Sequence, residues 1–308
     1  MLALIPASVR GPAIMMLAVA GLALMNLTVR LMSEELHVLQ TTFFRNAFAL
    51  LFITPWLFSA GLSGLKTTRL RFHVLRSLNG FTAMVIWFLS LSLLPLADAT
   101  ALNFTIPLFV TLGAALFLGE SLRLRRSLAT LAGFMGVLII IRPGFAEVSL
   151  VTGLPVLAAA FMAGSMLMVK ALSRTENPHA MVFYMNLFMT ILSIVPALFV
   201  WIWPSWEIWL MGAFIGFLGV VCHIGINKAM KLSEASTLAP LDYTRMPVTA
   251  GLAFLFFGEF PDLWTWLGAF VIMGSSFYIT RREAQLAREG QRNVSCSAES
   301  RLRQKPVQ

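Results

Sequence analysis

The stretch at residues 235–259, ASTLAPLDYTRMPVTAGLAFLFFGE, is long enough to cross a lipid bilayer but carries charged residues near its centre. Asp242 and Arg245 lie in the middle of this segment, with Tyr243 between them. An ionised side chain at bilayer depth costs about 2.5–3.5 kcal/mol on insertion scales, so it usually faces a protein interior or a watery cavity. The stretch therefore predicts a transmembrane helix whose polar face is turned away from lipid.

A related stretch at residues 97–120, ADATALNFTIPLFVTLGAALFLGE, occurs in the first half of the chain. Both stretches contain a mid-segment proline, Pro107 or Pro247, and both close on Gly-Glu. The segments that lead into them, 80–99 and 216–235, align without a gap and both begin with Gly-Phe. The sequence therefore contains one structural unit twice.

The composition indicates a membrane protein. Of the 308 residues, 58% are apolar and 12% are charged, and the mean hydropathy is +0.81. A soluble domain has about a quarter of its residues charged. A transmembrane helix needs about 20 mostly apolar residues. On that rule the sequence predicts an all-α integral membrane fold with ten transmembrane helices, at 12–31, 38–59, 73–93, 97–118, 125–141, 151–171, 180–201, 207–228, 235–257 and 264–280.

The distribution of basic residues tests this count, because cytoplasmic loops carry an excess of Lys and Arg. If the N-terminus is cytoplasmic, the outer loops hold two basic residues, Arg30 and Arg142. Both termini are therefore predicted to be cytoplasmic, and the net charge of +9 reflects topology rather than nucleic-acid binding. The basic residues assigned to the cytoplasmic face are Arg10, Lys66, Arg69, Arg71, Arg76, Arg123, Arg125, Arg126, Lys170, Arg174, Lys228, Lys231 and those of 281–308.

Each unit contains five spans, and because five is odd the second unit is predicted to insert in the opposite orientation. The predicted domains are a first repeat at 12–142, a second repeat at 151–281 and a basic cytoplasmic tail at 282–308. Inverted repeats are a recurring plan of secondary transporters, whose solute site lies near the bilayer midplane between the halves.

The two units resemble EamA-type transporters of the drug/metabolite transporter superfamily. The resemblance is carried by APLDYTRMPVTAGLAFLFFGE and PDLWTWLGAFVIMGSSFYI in the second half, and by NFTIPLFVTLGAALFLGE and LATLAGFMGVLIIIRPG in the first. It implies a multi-pass carrier of small metabolites in a bacterial inner (cell) membrane, often coupled to protons. Branches of the superfamily handle riboflavin, S-adenosylmethionine or amino acids, so the substrate and the direction of transport stay open.

Charged residues inside the spans are the first candidates for a solute site. Asp242 and Arg245 are three residues apart and share a helix face. Arg45, in the second span, adds a further cation, so the predicted interior has one positive charge in excess. We expect a solute with a carboxylate, phosphate or other electron-rich edge, because arginine stays charged and offers a planar fork of donors. The alternatives are an Asp242–Arg245 pair that fixes helix packing and an Arg45 that reaches an interface or caps carbonyls.

Three uncharged residues complete the candidate site. Asn103 and Tyr243 each precede a paired proline by four residues, and Trp87 could stack on a planar solute. His223 aligns with Trp87 across the repeat, and we interpret it as a packing residue, with titration near neutral pH as the alternative.

The motif pattern favours a secondary carrier with alternating access. No GxxxxGK[ST] motif is present, so ATP is not expected to drive transport directly, and Asp242 is the candidate for proton coupling. The alternative function is a membrane enzyme acting on lipid-linked substrates, which would need clustered carboxylates, a metal site or a Ser/His/Asp set. No metal or cofactor is expected.

Spans five and ten should approach other helices closely and could form a homodimer contact, through Gly133, Gly136, Gly268 and Gly274.

Overall fold

The structure, a computed structural model, describes residues 7–61, 65–118, 124–141, 150–172, 176, 178–232, 238, 241–279, 281 and 285. Most of these residues are helical, and no β-strand occurs among them. The helices are α1 (Ala7–Met32), α2 (Val38–Ala60), α3 (Leu70–Leu93), α4 (Leu96–Asn103), α5 (Ile106–Leu118), α6 (Leu124–Ile141), α7 (Leu154–Leu172), α8 (Pro178–Phe199), α9 (Trp206–Leu232), α10 (Arg245–Phe257) and α11 (Leu263–Ile279).

The helices have the length and composition of a membrane bundle. Within the described ranges, six are long and apolar enough to cross a bilayer, and three shorter apolar helices accompany them. The predicted all-α membrane fold is therefore confirmed. The predicted tail at 282–308 lies outside the described residues except for Gln285, as does Pro240 in the ninth span.

The fourth predicted span is divided in two, and the ninth is interrupted at the corresponding place. Turns at 104–105 and 243–244 precede α5 and α10, and Pro107 and Pro247 lie just inside the helices that follow. A proline removes a helical hydrogen bond and crowds the carbonyl one turn earlier, which explains both breaks. The hydroxyls of Thr105 and Thr244 each donate to the carbonyl three residues earlier, at 2.7 Å and 2.6 Å. The two halves therefore interrupt their fourth helices with the same device.

Packing between the halves follows the symmetry of the repeat. α1 packs along α9, and its counterpart α7 packs along α3. The contact of α2 with α9 is matched by that of α8 with α3, while α2 meets its own counterpart α8. The contact of α1 with α10 is likewise matched by that of α7 with α5. The centre of the bundle is thus the crossing of α2 with α8, where the two halves meet on equivalent helices.

Three of the four glycines singled out in the sequence lie at close helix contacts. A Cβ on Gly268 of α11 would lie 2.6 Å from the backbone oxygen of Gly136 in α6, and it would also strike Ile140. A Cβ on Gly133 would lie 2.6 Å from the Ser275 hydroxyl. No atom of the described residues lies within 4 Å of the Gly274 Cβ position, so the expected close contact is not found there.

We expect Gly268→Ala to destabilise the protein and Gly274→Ala, on the same helix, to be neutral or stabilising. Overpacking typically costs about 1–3 kcal/mol, whereas alanine is about 1 kcal/mol better than glycine in an open helical position. Thermal unfolding of both variants in the same detergent measures the difference. Equal melting temperatures would show that α6 and α11 do not pack through this glycine.

Candidate functional site

A pair of asparagines marks the crossing of α2 and α8. Asn46 on α2 donates from Nδ2 to the carbonyl four residues earlier at 2.9 Å, and Asn186 on α8 makes the same bond at 2.9 Å. Both side chains are buried, and this bond leaves each Oδ1 able to accept from another donor. Two matching acceptors are thereby fixed on either side of the helix crossing.

Arg45 lies between these two acceptors. Its Nη1 donates to Asn46 Oδ1 at 2.8 Å and to Asn186 Oδ1 at 3.0 Å. The side chain is 2% exposed, and its Nε is buried without a hydrogen-bond partner. Its Nη2 lies against α9 at Gly219, where a Cβ would come within 3.0 Å of that nitrogen. Arg45 therefore reaches no interface, and it forms no ion pair with any residue that the structure describes.

Arg76, which the charge distribution assigns to the cytoplasmic side, is a second buried cation. The residue is 8% exposed, because α3 begins at Leu70 and Arg76 lies nearly two turns inside it. Its Nη1 donates to the carbonyl of Met181 at 3.1 Å, and Nη2 approaches Met185 Sδ at 3.3 Å. Its Nε has no partner. Like Arg45, it points at α8 and makes no ion pair within the described ranges.

His223 on α9 joins these two arginines in a basic cluster, defined here as Arg45, Arg76 and His223. Arg45 Nη2 and the His223 ring both lie against Gly219. The ring Nδ1 lies 2.6 Å from the carbonyl of Gly219, which can only accept, so this nitrogen carries a proton. The His223 side chain is half-buried. The basic cluster thus takes one side chain from each of α2, α3 and α9.

Asp242, Tyr243 and Arg245 come together at the interrupted helices. Arg245 Nη2 lies 3.7 Å from Asp242 Oδ2, which is an ion pair too long for a hydrogen bond. The guanidinium carbon lies 5.2 Å from the centre of the Phe104 ring, and the Tyr243 ring meets the same ring edge-on at 5.3 Å. The break in one half therefore packs against the break in the other.

The other two predicted site residues contact different helices. Asn103 Nδ2 approaches Met162 Sδ on α7 at 3.6 Å. The Trp87 indole nitrogen donates to Asn26 Oδ1 on α1 at 3.4 Å, and the side chain is buried. Neither residue forms a hydrogen bond with Arg45 or with the Asp242–Arg245 pair. Their roles in binding stay predictions.

Glu259 forms polar contacts between the two halves at one end of the bundle. Its Oε1 accepts from Arg30 Nη2 at 3.1 Å, and its Oε2 accepts from the backbone nitrogen of Leu96, at the start of α4, at 3.0 Å. Arg30 also donates to the carbonyls of Leu91 and Leu94. We call this set the Glu259 junction. It connects the turn between α10 and α11 to three helices of the first half.

Glu176 forms corresponding contacts at the opposite end, and we call this set of contacts the Glu176 junction. Glu176 Oε1 accepts from the Thr67 hydroxyl at 2.8 Å, and its Oε2 lies 3.7 Å from His73 Nε2. Nearby, Tyr184 OH donates to the carbonyl of Leu65 at 2.6 Å. These contacts join the end of α7 and the start of α8 to the connection between α2 and α3. A sequence search limited to charges inside the spans misses them, because His73 and Glu176 lie at span ends.

A scan against protein-family models matches both halves of the chain. The EamA-like transporter family matches residues 9–142 and again 151–281, which together make up most of the sequence. The chain belongs to the EamA-like transporter family. It is therefore a membrane transporter built from two repeats, and the comparisons do not support the alternative of a membrane enzyme.

Named relatives cover most of this EamA-like transporter. It is 34% identical over 252 residues to a riboflavin transporter of Vibrio cholerae, covering 81% of this chain and 84% of the relative. It is 31% identical over 253 residues to an S-adenosylmethionine uptake transporter of Rickettsia bellii, covering 82% and 87%. A solved crystal structure, 20% identical, superposes with a TM-score of 0.61 over 90% of this chain and 98% of that chain. The last comparison shows the fold alone.

Proposed function

We propose that this transporter is a secondary carrier that moves a small metabolite with an acidic or other electron-rich edge across a bacterial inner (cell) membrane. The observation that carries the proposal is Arg45, a buried cation without a carboxylate partner in the described part of the chain. A charge in this position is costly, so intramembrane ionisable residues usually mark a substrate or ion pathway. The proposal includes the domain limits 12–142, 151–281 and 282–308, with both termini in the cytoplasm.

Alternating access between the two halves would supply the transport cycle. Helices of the two halves pack in symmetric pairs, which supports two equivalent repeats moving against each other, as in other carriers built from inverted repeats. The Glu259 and Glu176 junctions lie at opposite ends and each crosses between the halves. Opening to one side would then break one junction and keep the other. Asp242, Tyr243 and Arg245, with Asn103 and Trp87, are proposed to contact the solute beside Arg45.

Uptake into proteoliposomes tests the function. Riboflavin, S-adenosylmethionine and a mixture of amino acids serve as radiolabelled probes, since two of these classes are transported by named relatives. We expect saturable uptake of at least one probe and a rise in melting temperature of the purified protein with that probe. A folded, correctly inserted protein that takes up none of them, while turning over a lipid-linked substrate, would favour the enzyme instead.

Replacing Asp242 by asparagine is expected to remove proton coupling. Binding of a proton to the Asp242 carboxylate would release Arg245 toward the solute, and loss of the proton would restore the ion pair. The carboxylate would thus alternate between the proton and Arg245. Wild-type uptake should rise with an inward proton gradient, whereas Asp242→Asn should retain downhill transport and lose that response. Glu35→Gln, at an exposed loop position, is the control. An unchanged gradient response in Asp242→Asn would assign coupling elsewhere.

A further inference from the structure

We propose that the basic cluster is an anion site in which Arg45 and Arg76 together hold one doubly charged oxyanion, such as a phosphate monoester or a dicarboxylate. The proposal rests on the carrier function above and narrows the substrate class. It adds Arg76 and His223, which the candidate site inferred from the sequence did not include. It also differs from what the relatives' names suggest, because riboflavin itself is uncharged.

The charge balance of the bundle is the first argument. Arg45 and Arg76 are the buried arginines among the residues that the structure describes, and neither forms an ion pair there, whereas Arg245 is paired with Asp242. Both of these unpaired positive charges belong to the basic cluster. A buried charge is retained at a high cost unless a partner neutralises it. A doubly charged ligand supplies that partner, whereas a neutral solute leaves both charges uncompensated.

The hydrogen-bond capacity of the two arginines is the second argument. In the part of the chain that the structure describes, seven buried side-chain polar atoms lack a hydrogen-bond partner. The Nε atoms of Arg45 and Arg76 are two of them, and the Ser77 hydroxyl beside Arg76 is a third. Buried donors are nearly always satisfied in native proteins, and exceptions call for a missing ligand, ion or water. Guanidinium groups are suited to the paired oxygens of carboxylate and phosphate.

The placement of the two groups on α8 is the third argument. Arg76 contacts Met185 and Arg45 contacts Asn186, which are consecutive residues of that helix. The two side chains come from different helices, α2 and α3, and converge on one turn of the other half. Each guanidinium group carries a positive charge, so an oxyanion that both of them bind would gain two attractive interactions.

One carboxylate competes for Arg76 and has to be considered. Glu176 Oε2 lies 3.7 Å from His73 Nε2, and the charge of Arg76 lies near the same imidazole ring. Glu176 does not form an ion pair with Arg76, and its Oε1 is already occupied by the Thr67 hydroxyl. It therefore belongs to the Glu176 junction and leaves the charge of the basic cluster available to a ligand.

A matched pair of probes tests the site on the purified full-length protein. Riboflavin and riboflavin 5′-phosphate differ by one doubly charged group, and flavin fluorescence reports the binding of each. We expect the wild type to bind the phosphate at least about tenfold more tightly, and Arg76→Gln to reduce that preference to within about twofold. Inorganic phosphate should raise the melting temperature relative to chloride at equal ionic strength, since screening is then equal. Arg71→Gln, an exposed arginine on the same helix, should behave as the wild type.

The outcomes that overturn the site differ from those that refute the carrier. The anion site is excluded if the two flavins bind equally and inorganic phosphate does not change the melting temperature. It is also excluded if the phosphate-induced rise in melting temperature persists in the Arg45→Gln/Arg76→Gln double variant. The carrier function is judged separately by uptake. Transport of a neutral probe that Arg76→Gln leaves unchanged refutes the anion site and keeps the carrier. A phosphate shift that depends on Arg76, without transport of any probe, keeps the site and refutes the carrier.

Discussion

Replacing Arg45 by glutamine is expected to reduce uptake by about 100-fold while the protein remains folded. A hydrogen bond to a charged group contributes about 1.5–3 kcal/mol, and each 1.4 kcal/mol changes an equilibrium about tenfold. Arg45 offers the solute a charge as well as donors, so its loss should lie at the upper end of that range. Glutamine keeps an amide that can still donate to Asn46 or Asn186.

The stability of the same variant separates a binding role from a packing role. An unpaired buried charge costs stability, so its removal should leave the ligand-free protein as stable as the wild type or more stable. If Arg45 served only to join α2 to α8, Arg45→Gln would instead lower the melting temperature. Arg45→Lys should give intermediate transport, because lysine keeps the charge but loses the planar fork.

The measurement is initial uptake in proteoliposomes that contain equal amounts of correctly inserted protein. Arg71→Gln is the matched control, because it removes the same charge from an exposed position. Transport at the wild-type rate by Arg45→Gln would contradict the role assigned to Arg45. A parallel loss in Arg71→Gln would show that the net charge of the protein, and not this site, controls uptake.

The fold could be predicted from the sequence because its determinants repeat along the chain. Apolar stretches of bilayer length gave the helices, and the alternation of basic loops gave their number. The paired prolines Pro107 and Pro247 also marked the places where the fourth and ninth spans are interrupted, since proline acts on the backbone of its own helix. Properties that are local or periodic are readable from one chain.

The side-chain environment of the site could not be predicted in the same way. The charge distribution placed Arg76 on the cytoplasmic side and did not predict its burial, which depends on where α3 begins and on how α8 packs against it. Asn46 and Asn186 are polar residues inside predicted spans. That they share Arg45 as a hydrogen-bond partner follows from the packing of α2 against α8. One available signal was the spacing of His73, Arg76 and Ser77, which places all three on one helix face.

Replacing Glu176 by glutamine is expected to open the end of the bundle at the Glu176 junction. Glu176 accepts from Thr67 and attracts His73, and both lie in the other half. Glutamine keeps the shape but removes the charge, which should cost the closed state about 1.5 kcal/mol, the lower end of the range for hydrogen bonds to charged groups. That change corresponds to about a tenfold shift in the balance between the closed and open states.

Cysteine accessibility measures this shift. Cys222 and Cys296 are replaced by serine, and Ser77→Cys, which lies buried on the same face of α3 as His73, reports opening at the Glu176 junction. In a second protein, Ser90→Cys reports opening near the Glu259 junction, because it lies next to Leu91 on the buried face of α3. A membrane-impermeant maleimide is applied from each side of the vesicles in turn. Glu176→Gln should increase labelling of Ser77→Cys about tenfold and decrease labelling of Ser90→Cys.

The converse substitution completes the test, because two states of one equilibrium must respond in opposite directions. Glu259→Gln removes the charge that holds Arg30, so it should increase labelling at position 90 and decrease it at position 77. Glu207→Gln, at an exposed position on α9, should change neither rate. If both junction variants increased labelling at both positions, the junctions would simply hold the bundle together. If neither did, the halves would not move against each other at these contacts, and alternating access would need a different hinge.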